Sequence, residues 1–285
     1  MTKFESLADK HPMAFALVVT IVFILLVLIS SILANLAYPA GTPGWYVVSL
    51  AGRLVSILIL LILLSRLDWL RSAGFTSLGS RQTWLLALPA LVYSIVVSAF
   101  AMTGNFNFSF SDPVLAVSAS LFLMAHAFLE ETAFRGLVMH DFVRAWGGTS
   151  RGLVKSVIIS SLYYGGYHLL YLAGEPLAVV LGRIVVTSLM GVLFGALVLR
   201  GNSIYPAAFF HGAWNIAGFL NLPRNSMDGT PRSWMVLSLF TLPLALYGLF
   251  LLRGFTRYYS HTGRSPRMES PGYEHDPAKN ERYGL

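Results

Sequence analysis

AFALVVTIVFILLVLISSILANLA, residues 14–37, is an apolar run long enough to form a helix that crosses a membrane. A helix rises about 1.5 Å per residue, so about 20 apolar residues span the hydrocarbon core of a bilayer. Residues 45–64 and 234–252 form runs of similar length. The first run is too long for a signal peptide, and no small-residue cleavage pattern precedes Tyr38. We therefore interpret it as a retained membrane span.

The composition supports a membrane protein. Hydrophobic residues make up 55% of the 285-residue chain and charged residues 12%, whereas soluble domains carry about 25% charged residues. The chain has no cysteine, which excludes disulfides and thiolate chemistry. Its net charge is +7, but the basic residues flank apolar runs instead of forming a patch with interleaved aromatic residues. We therefore expect no nucleic-acid partner.

Glycine and proline clusters divide the chain into about eight apolar segments. The predicted transmembrane helices are 14–37, 45–65, 84–103, 113–142, 154–173, 177–199, 204–220 and 233–252. The expected fold is an all-α membrane protein in which residues 1–252 form one polytopic domain. Residues 253–285 are polar and contain several glycines and prolines. We expect them to form a disordered cytoplasmic tail.

The distribution of Lys and Arg supports this division. With eight helices, fifteen of these residues lie on one side of the membrane and two, Arg224 and Arg232, on the other. Cytoplasmic loops carry the excess of Lys and Arg, and one helix more or fewer would scramble the alternation. The pattern predicts that both termini are cytoplasmic. We expect a multi-pass protein of the cell membrane, surrounded by membrane lipid.

Two acidic residues, Glu130 and Glu131, lie well inside a predicted helix. An ionised carboxylate at the membrane centre costs at least about 2.5–3.5 kcal/mol, so such residues usually face a cavity or a partner and mark function. Arg135 follows Glu131 by four residues, which is the spacing and order of a helical ion pair. Glu130 points about 100° away around the helix and shares a face with His126 and Phe134 instead.

Two other predicted helices carry further polar residues. His168 follows Tyr164 by four residues, and Asn215 follows His211 by four, so each pair shares a helical face. A single His or Asn in a membrane helix more often makes a hydrogen bond between helices than it takes part in catalysis. Each pair alone is therefore explained by packing.

Depth in the membrane links these residues. At about 1.5 Å per residue, Glu130, His168 and His211 lie roughly 21, 20 and 16 Å from the basic residues at the cytoplasmic ends of their helices. Independent packing residues have no reason to converge in depth. A carboxylate, two imidazoles and the Asn215 amide fit hydrolysis by an activated water. Glu130 would be the general base, His168 would help to orient the water, and His211 and Asn215 would stabilise the oxyanion.

Three motifs occur in order on separate predicted helices. EETAFR (130–135) has the pattern E-E-x-x-x-R, YGGYH (164–168) the pattern aromatic-x-x-x-H, and HGAWN (211–215) the pattern H-x-x-x-N. In this order they resemble the CPBP family of intramembrane proteases, which includes type II CAAX prenyl endopeptidases and bacteriocin-processing or immunity-type proteins. The resemblance covers 113–220, which would be the protease core. Tyr164 stands where the family more usually has Phe.

The resemblance implies an endopeptidase of the glutamate type that cleaves a membrane-associated or lipidated peptide in or near the bilayer. It implies that the catalytic residues are Glu130, His168, His211 and Asn215. The residues expected to support their geometry are Glu131, Arg135 and Tyr164. His126 belongs to no family motif, and we place it beside the site because it precedes Glu130 by one helical turn.

Two functions of other classes fit the same residues. A proton-coupled transporter could use Glu130, His126 and His168 as a proton relay. Such transporters often have broken helices at matching positions in two halves, and the sequence shows none. A non-catalytic immunity or scaffold protein could keep the same residues for packing.

Zinc is the alternative to a metal-free site. Glu130, His168 and His211 come from three helices and would form a catalytic zinc set with an open fourth position. We predict that no zinc is tightly bound, because Asn215 and His211 present side-chain donors in a row, as an oxyanion site requires. A zinc-bound imidazole is usually oriented by a carboxylate or carbonyl, and no acidic residue lies at a helical neighbour position of either His.

Overall fold

The computed structural model describes residues 3–101, 112–221 and 231–262, and these residues form helices and connecting turns without a strand. Two of the helical segments are not α-helical: Thr132–Met139 is a π-helix, and Tyr167–Ala173 is a 3-10 helix. The α-helices are α1 (Lys3–Lys10), α2 (Pro12–Ala37), α3 (Pro43–Arg66), α4 (Arg81–Ala101), α5 (Pro113–Glu131), α6 (His140–Trp146), α7 (Ser150–Gly166), α8 (Leu177–Gly201), α9 (Tyr205–Asn221) and α10 (Pro231–Thr262).

Apart from Ile204, which precedes α9, the described residues of the eight predicted helices are helical. In the described part of the chain, five helices are long and apolar enough to cross a membrane. They are Pro12–Ala37, Pro43–Arg66, Pro113–Trp146, Leu177–Gly201 and Trp234–Gly254. Two of the remaining helices, α7 and α9, have 17 residues each, fewer than the roughly 20 that a membrane span needs. The described part of the chain is all-helical, and its apolar helices are those of a multi-pass membrane protein.

The structure extends the last helix beyond the predicted boundary. The polar tail was expected to begin at Arg253, but α10 continues to Thr262. Once a helix has formed, each added residue gains a backbone hydrogen bond, so a polar sequence can continue it beyond the apolar run. The rest of the predicted tail, 263–285, lies outside the described residues, as do most of the connections predicted at 105–111 and 221–231.

Local sequence explains where several helices begin and end. Proline occupies the first turn of α2, α3 and α5, where its missing N–H would have no helical partner. The helices α3, α5 and α7 follow residues whose side chains accept a backbone hydrogen bond from the first turn. These residues are Thr42, Asp112 and Thr149. Asn202 ends α8 in the left-handed conformation, with φ +44°.

Small residues bring several helices into close contact. A Cβ atom at Gly52 of α3 would overlap the Cβ of Ser30 on α2. A Cβ at Gly248 of α10 would lie 2.8 Å from Leu193 Cα on α8, and one at Gly165 of α7 would lie 2.8 Å from the Ile184 oxygen on α8. Close backbone approach at small residues is typical of membrane helices. It holds α2 against α3, and α7 and α10 against α8.

Candidate active site

Glu131, Arg135 and His211 form a buried polar cluster between α5, the π segment and α9. Arg135 Nη1 lies 3.2 Å from Glu131 Oε1, so the predicted ion pair is present. His211 Nδ1 lies 2.9 Å from the same carboxylate oxygen. The side chains of Glu131 and Arg135 are 0% and 1% exposed. Since an ionised carboxylate accepts but does not donate, His211 carries a proton on Nδ1.

Aromatic rings surround the guanidinium of Arg135. Its Cζ lies 4.4 Å from the ring centre of Tyr164 and 5.3 Å from that of Phe194. Phe194 also stacks on His211, with ring centres 4.8 Å apart. A cation over an aromatic face is stabilised by the ring quadrupole, more so where water is excluded. This packing gives Tyr164 a contact with the ion pair in addition to its place in the motif.

Glu130 contacts side chains from three other positions in the fold. Its Oε1 accepts a hydrogen bond from the Tyr167 hydroxyl and lies 3.5 Å from His126 Nε2. Its Oε2 lies 3.2 Å from His211 Nε2, and the Tyr164 hydroxyl lies 3.2 Å from that same nitrogen. Glu130 is 3% exposed. It is therefore a buried carboxylate contacted through both oxygens.

Tyr167 and Arg53 are site residues that the sequence analysis did not assign. Tyr167 adjoins His168, but the motif pattern leaves its position unspecified. Arg53 Nε donates to His126 Nδ1 at 3.1 Å, so α3 reaches the neighbourhood of Glu130. A single arginine in an apolar helix must find a partner, and that signal could have identified Arg53.

His168 lies beside this cluster without a direct hydrogen bond to Glu130 in the described part of the chain. Its Nδ1 is 3.2 Å from the Tyr164 carbonyl oxygen. A carbonyl only accepts, so Nδ1 carries the proton and, in the neutral ring, Nε2 keeps its lone pair. The ring centre lies 4.0 Å from that of Tyr167 and 5.8 Å from that of Tyr171. Tyr167 therefore links His168 to Glu130.

Asn215 lies one turn after His211 on α9 and is partly buried. Among the described residues, no polar contact joins it to Glu130, Glu131 or His211. The structure therefore gathers Glu130, Glu131, Arg135, His211, Tyr164 and His126 into one contact network. His168 adjoins that network, and Asn215 shares a helix with it.

The backbone departs from α-helical geometry at two of the three motifs. The π segment starts directly after Glu131, and all eight of its residues are buried. Tyr167 and His168 begin the 3-10 segment that follows α7. Departures from α-helical geometry inside a helix often occur at functional sites. They alter the angular spacing of side chains, and regular helical spacing cannot predict this.

The proposed metal ligands are not arranged as a metal site. In residues 3–101, 112–221 and 231–262, no group of three or more His, Cys, Asp or Glu side chains could hold a metal ion. However, the expectation that no carboxylate is placed to orient His168 or His211 is wrong for His211. Glu131, from a different helix, contacts His211 Nδ1, so a carboxylate does orient this imidazole. Neighbour positions along α9 alone could not reveal that contact.

Comparison with known proteins finds a family similarity in the central part of the chain. Residues 112–217 match a family model described as type II CAAX prenyl endopeptidase Rce1-like. This segment, a little over a third of the 285-residue chain, is therefore similar to the CPBP-type family that the model describes. The matched segment runs from the residue before α5 to near the end of α9 and contains all three motifs. The description of that family names an endopeptidase. No curated protein and no solved structure matches the chain.

Proposed function

We propose that the chain is an intramembrane endopeptidase in which Glu130 activates a water molecule to hydrolyse a peptide bond in or near the bilayer. The observation that carries the proposal is the environment of Glu130: a carboxylate that is 3% exposed, inside the segment that matches the family. A carboxylate in a site that excludes water suits a general base near neutral pH. The Rce1-like match favours this function over a transporter or a non-catalytic scaffold.

The contacts of Glu130 support different roles for its two carboxylate oxygens. Oε1 accepts from the Tyr167 hydroxyl and faces His126, and these contacts orient the carboxylate. Oε2, on the side of His211, would take a proton from the water. The water oxygen then attacks the scissile carbonyl carbon. As the C–N bond breaks, Glu130 returns the proton to the leaving nitrogen. The Nε2 lone pair of His168 would accept a hydrogen bond from the same water.

The oxyanion of the tetrahedral intermediate needs hydrogen-bond donors. Because Nδ1 of His211 donates to Glu131, this side chain can donate to an oxyanion only from Nε2, and it does so as the imidazolium, with a proton on each nitrogen. Asn215, one turn further along α9, would supply a second donor from its amide. Arg135 holds Glu131, and we propose that this ion pair keeps His211 in position.

We propose that the water is activated without a tightly bound zinc. The position of Asn215 supports this, because it follows His211 by one turn on α9 and would give an oxyanion site a second side-chain donor. Elemental analysis of active, purified protein tests the proposal. We expect less than one zinc per chain. The proposal would be contradicted if the protein held one zinc per chain and if His168→Ala and His211→Ala lost both the zinc and the activity. Added zinc would then also restore activity to wild-type protein that had been stripped of metal.

The proposed topology has eight transmembrane helices and places both termini in the cytoplasm of a cell whose membrane the protein spans. Residues 1–252 would form the transmembrane domain, and the protease core would lie within it at 113–220. A polar cytoplasmic tail would follow residue 252. The substrate would be a membrane-associated or lipidated peptide. The family description favours a prenylated C-terminal peptide for the first assay.

Peptidase activity of purified protein in lipid tests the function. Membrane peptides with and without an isoprenyl group would be incubated with wild type, Glu130→Gln and Glu175→Gln. Glu175 pairs with Arg183 at 2.7 Å and does not contact the Glu130 network, so its variant is a matched control. We expect cleavage by wild type and the control, and none by Glu130→Gln. Undiminished cleavage by Glu130→Gln would rule out Glu130 as the base.

A further inference from the structure

We infer that Arg53 and His126 position the carboxylate of Glu130. Arg53 selects the tautomer of His126 in which Nε2 carries the proton, and that N–H faces Glu130 Oε1. Both are positioning residues, because neither is placed to touch the scissile bond. The catalytic consequence of this inference rests on the proposed function, whereas the tautomer itself does not.

The first step follows from the chemistry of arginine. A guanidinium donates hydrogen bonds through all its nitrogens and accepts none. Arg53 Nε lies 3.1 Å from His126 Nδ1. Nδ1 must therefore present its lone pair to Arg53. A neutral imidazole with a lone pair on Nδ1 carries its proton on Nε2.

The second step concerns the other nitrogen of the same ring. His126 Nε2 lies 3.5 Å from Glu130 Oε1. This separation is longer than the about 2.7–3.2 Å of an ordinary N–H···O hydrogen bond, so the contact is mainly electrostatic. With the proton on Nε2, the N–H dipole attracts the carboxylate. With the proton on Nδ1, the Nε2 lone pair would repel it.

Arg53 is held so that its Nε faces His126. Its Nη1 donates to the Val27 carbonyl and to the Ser30 hydroxyl, and its Nη2 donates to the Ser31 hydroxyl at 3.2 Å. All three acceptors lie on α2, which contacts α3 closely at Ser30. Arg53 is 3% exposed. The guanidinium therefore cannot turn away without losing these hydrogen bonds.

The ring of His126 is held as well. Phe122, one turn earlier on α5, stacks on it with an angle of 6° between the ring planes. The Arg53 guanidinium also lies 5.4 Å from the Phe122 ring centre. In the described part of the chain, no carboxylate pairs directly with Arg53. A buried arginine is costly in a membrane, and packing alone gives no reason for it to face an imidazole that contacts Glu130.

Nitrogen NMR of the imidazole tests the tautomer directly. Protein labelled with ¹⁵N-histidine in lipid would give signals from seven histidines, and His126→Gln would identify the signals of His126. We expect an unprotonated Nδ1 and a protonated Nε2 in wild type. In Arg53→Met, Nδ1 should gain proton occupancy. Thr20→Ala removes an α2 hydroxyl that bonds only to the Ala16 carbonyl of its own helix, and it should leave the His126 signals unchanged. Arg53→Lys keeps a donor and should retain the wild-type tautomer at least in part.

A protonated Nδ1 of His126 in wild type would overturn the inference, whatever the Arg53 variants show. Unchanged His126 signals in folded Arg53→Met would also overturn it. Thermal unfolding in detergent would establish that each variant is folded. Because these signals do not depend on turnover, the result stands whether or not the chain cleaves peptides.

A double-mutant cycle tests the catalytic consequence. We expect Arg53→Met and His126→Leu each to lower kcat about tenfold with little change in KM, the range for a residue that orients a general base. If Arg53 acts through His126, adding Arg53→Met to His126→Leu should cause no further loss. Two losses that multiply, to about a hundredfold, would show that Arg53 acts independently of His126. Wild type without activity would instead refute the proposed function.

Discussion

At the level of single residues, Glu130 and Glu131 adjoin each other in the chain but contact different partners. Glu131 pairs with Arg135 and with His211 Nδ1, so it balances a buried positive charge. Glu130 contacts a hydroxyl and two imidazoles, with no guanidinium within ion-pair distance in the described part of the chain. Removing the charge of each should therefore have different effects on stability and on catalysis.

Glu130→Gln should abolish turnover and leave the free energy of unfolding unchanged or higher, because it removes a buried charge without changing the side-chain volume. Glu131→Gln should lower that free energy by up to about 3–5 kcal/mol, because Arg135 would remain buried without its carboxylate. Denaturation in detergent, measured beside peptidase turnover, compares the two variants. Equal stability losses, with activity left in Glu130→Gln, would reverse the assignment.

Tyr167→Phe removes the hydroxyl that donates to Glu130 and keeps the ring that packs against His168. We expect kcat to fall about 10- to 100-fold, as for other losses of an oriented acid–base contact, while KM changes little. Tyr171→Phe is the control, since Tyr171 also stacks on His168 but does not contact Glu130. An equal or larger loss of kcat in Tyr171→Phe would contradict a specific role for the Tyr167 hydroxyl.

Local patterns made part of the site predictable. Charged residues in apolar runs and partners four residues apart identified Glu130, Glu131 and Arg135. The contacts of Tyr167 with Glu130 and of Arg53 with His126 join residues 37 and 73 positions apart. Such contacts depend on how the helices pack, which helical spacing in a single sequence does not encode.

At the level of helices, the apolar runs predicted where the helices lie and how long they are, but they did not predict the backbone geometry within them. The predicted span 113–142 is one continuous helical run, but its middle is π-helical over Thr132–Met139. The predicted span 154–173 ends in the 3-10 segment Tyr167–Ala173. Hydropathy averages over several turns, so it does not distinguish 3.6 residues per turn from a wider or tighter helix.

The contact between α7 and α8 depends on one of two adjacent glycines. A Cβ at Gly165 would lie 2.8 Å from the Ile184 backbone oxygen, whereas one at Gly166 would meet nothing within 4 Å. Gly165→Ala should lower the free energy of unfolding by about 1–3 kcal/mol, the usual cost of overpacking. Gly166→Ala should leave it unchanged or raise it by up to about 1 kcal/mol.

The free energies of unfolding of Gly165→Ala and Gly166→Ala, measured in the same detergent, test this prediction. Because Gly165 lies between Tyr164 and Tyr167, moving α7 away from α8 should also reduce turnover in Gly165→Ala. Equal stability of the two variants would mean that the helices can adjust around an added methyl group. The close approach at Gly165 would then not be essential.

At the level of the whole molecule, charge and hydropathy lead to different numbers of membrane crossings. Five helices are long and apolar enough to cross in the described part of the chain. The distribution of Lys and Arg, fifteen against two, predicts eight. The 17-residue helix α7 is decisive, because it carries Tyr164 at the site but is shorter than a typical span. Shorter spans are accommodated when flanking residues reach the interface or the bilayer thins.

Labelling of single cysteines decides whether α7 crosses the membrane. The chain has no cysteine of its own, and a Cβ at Gly148 or Gly174, which lie on either side of α7 and its 3-10 extension, would meet no atom within 4 Å. With eight spans, a membrane-impermeant thiol reagent added to intact cells should label Gly174→Cys and Asn107→Cys. It should label Gly148→Cys only after the membrane is opened, because the cytoplasmic side carries the excess of positive charge. Labelling of Gly148→Cys and Asn107→Cys from the same side would contradict the eight-helix topology. Labelling of Gly148→Cys and Gly174→Cys from the same side would show that α7 enters the membrane without crossing it.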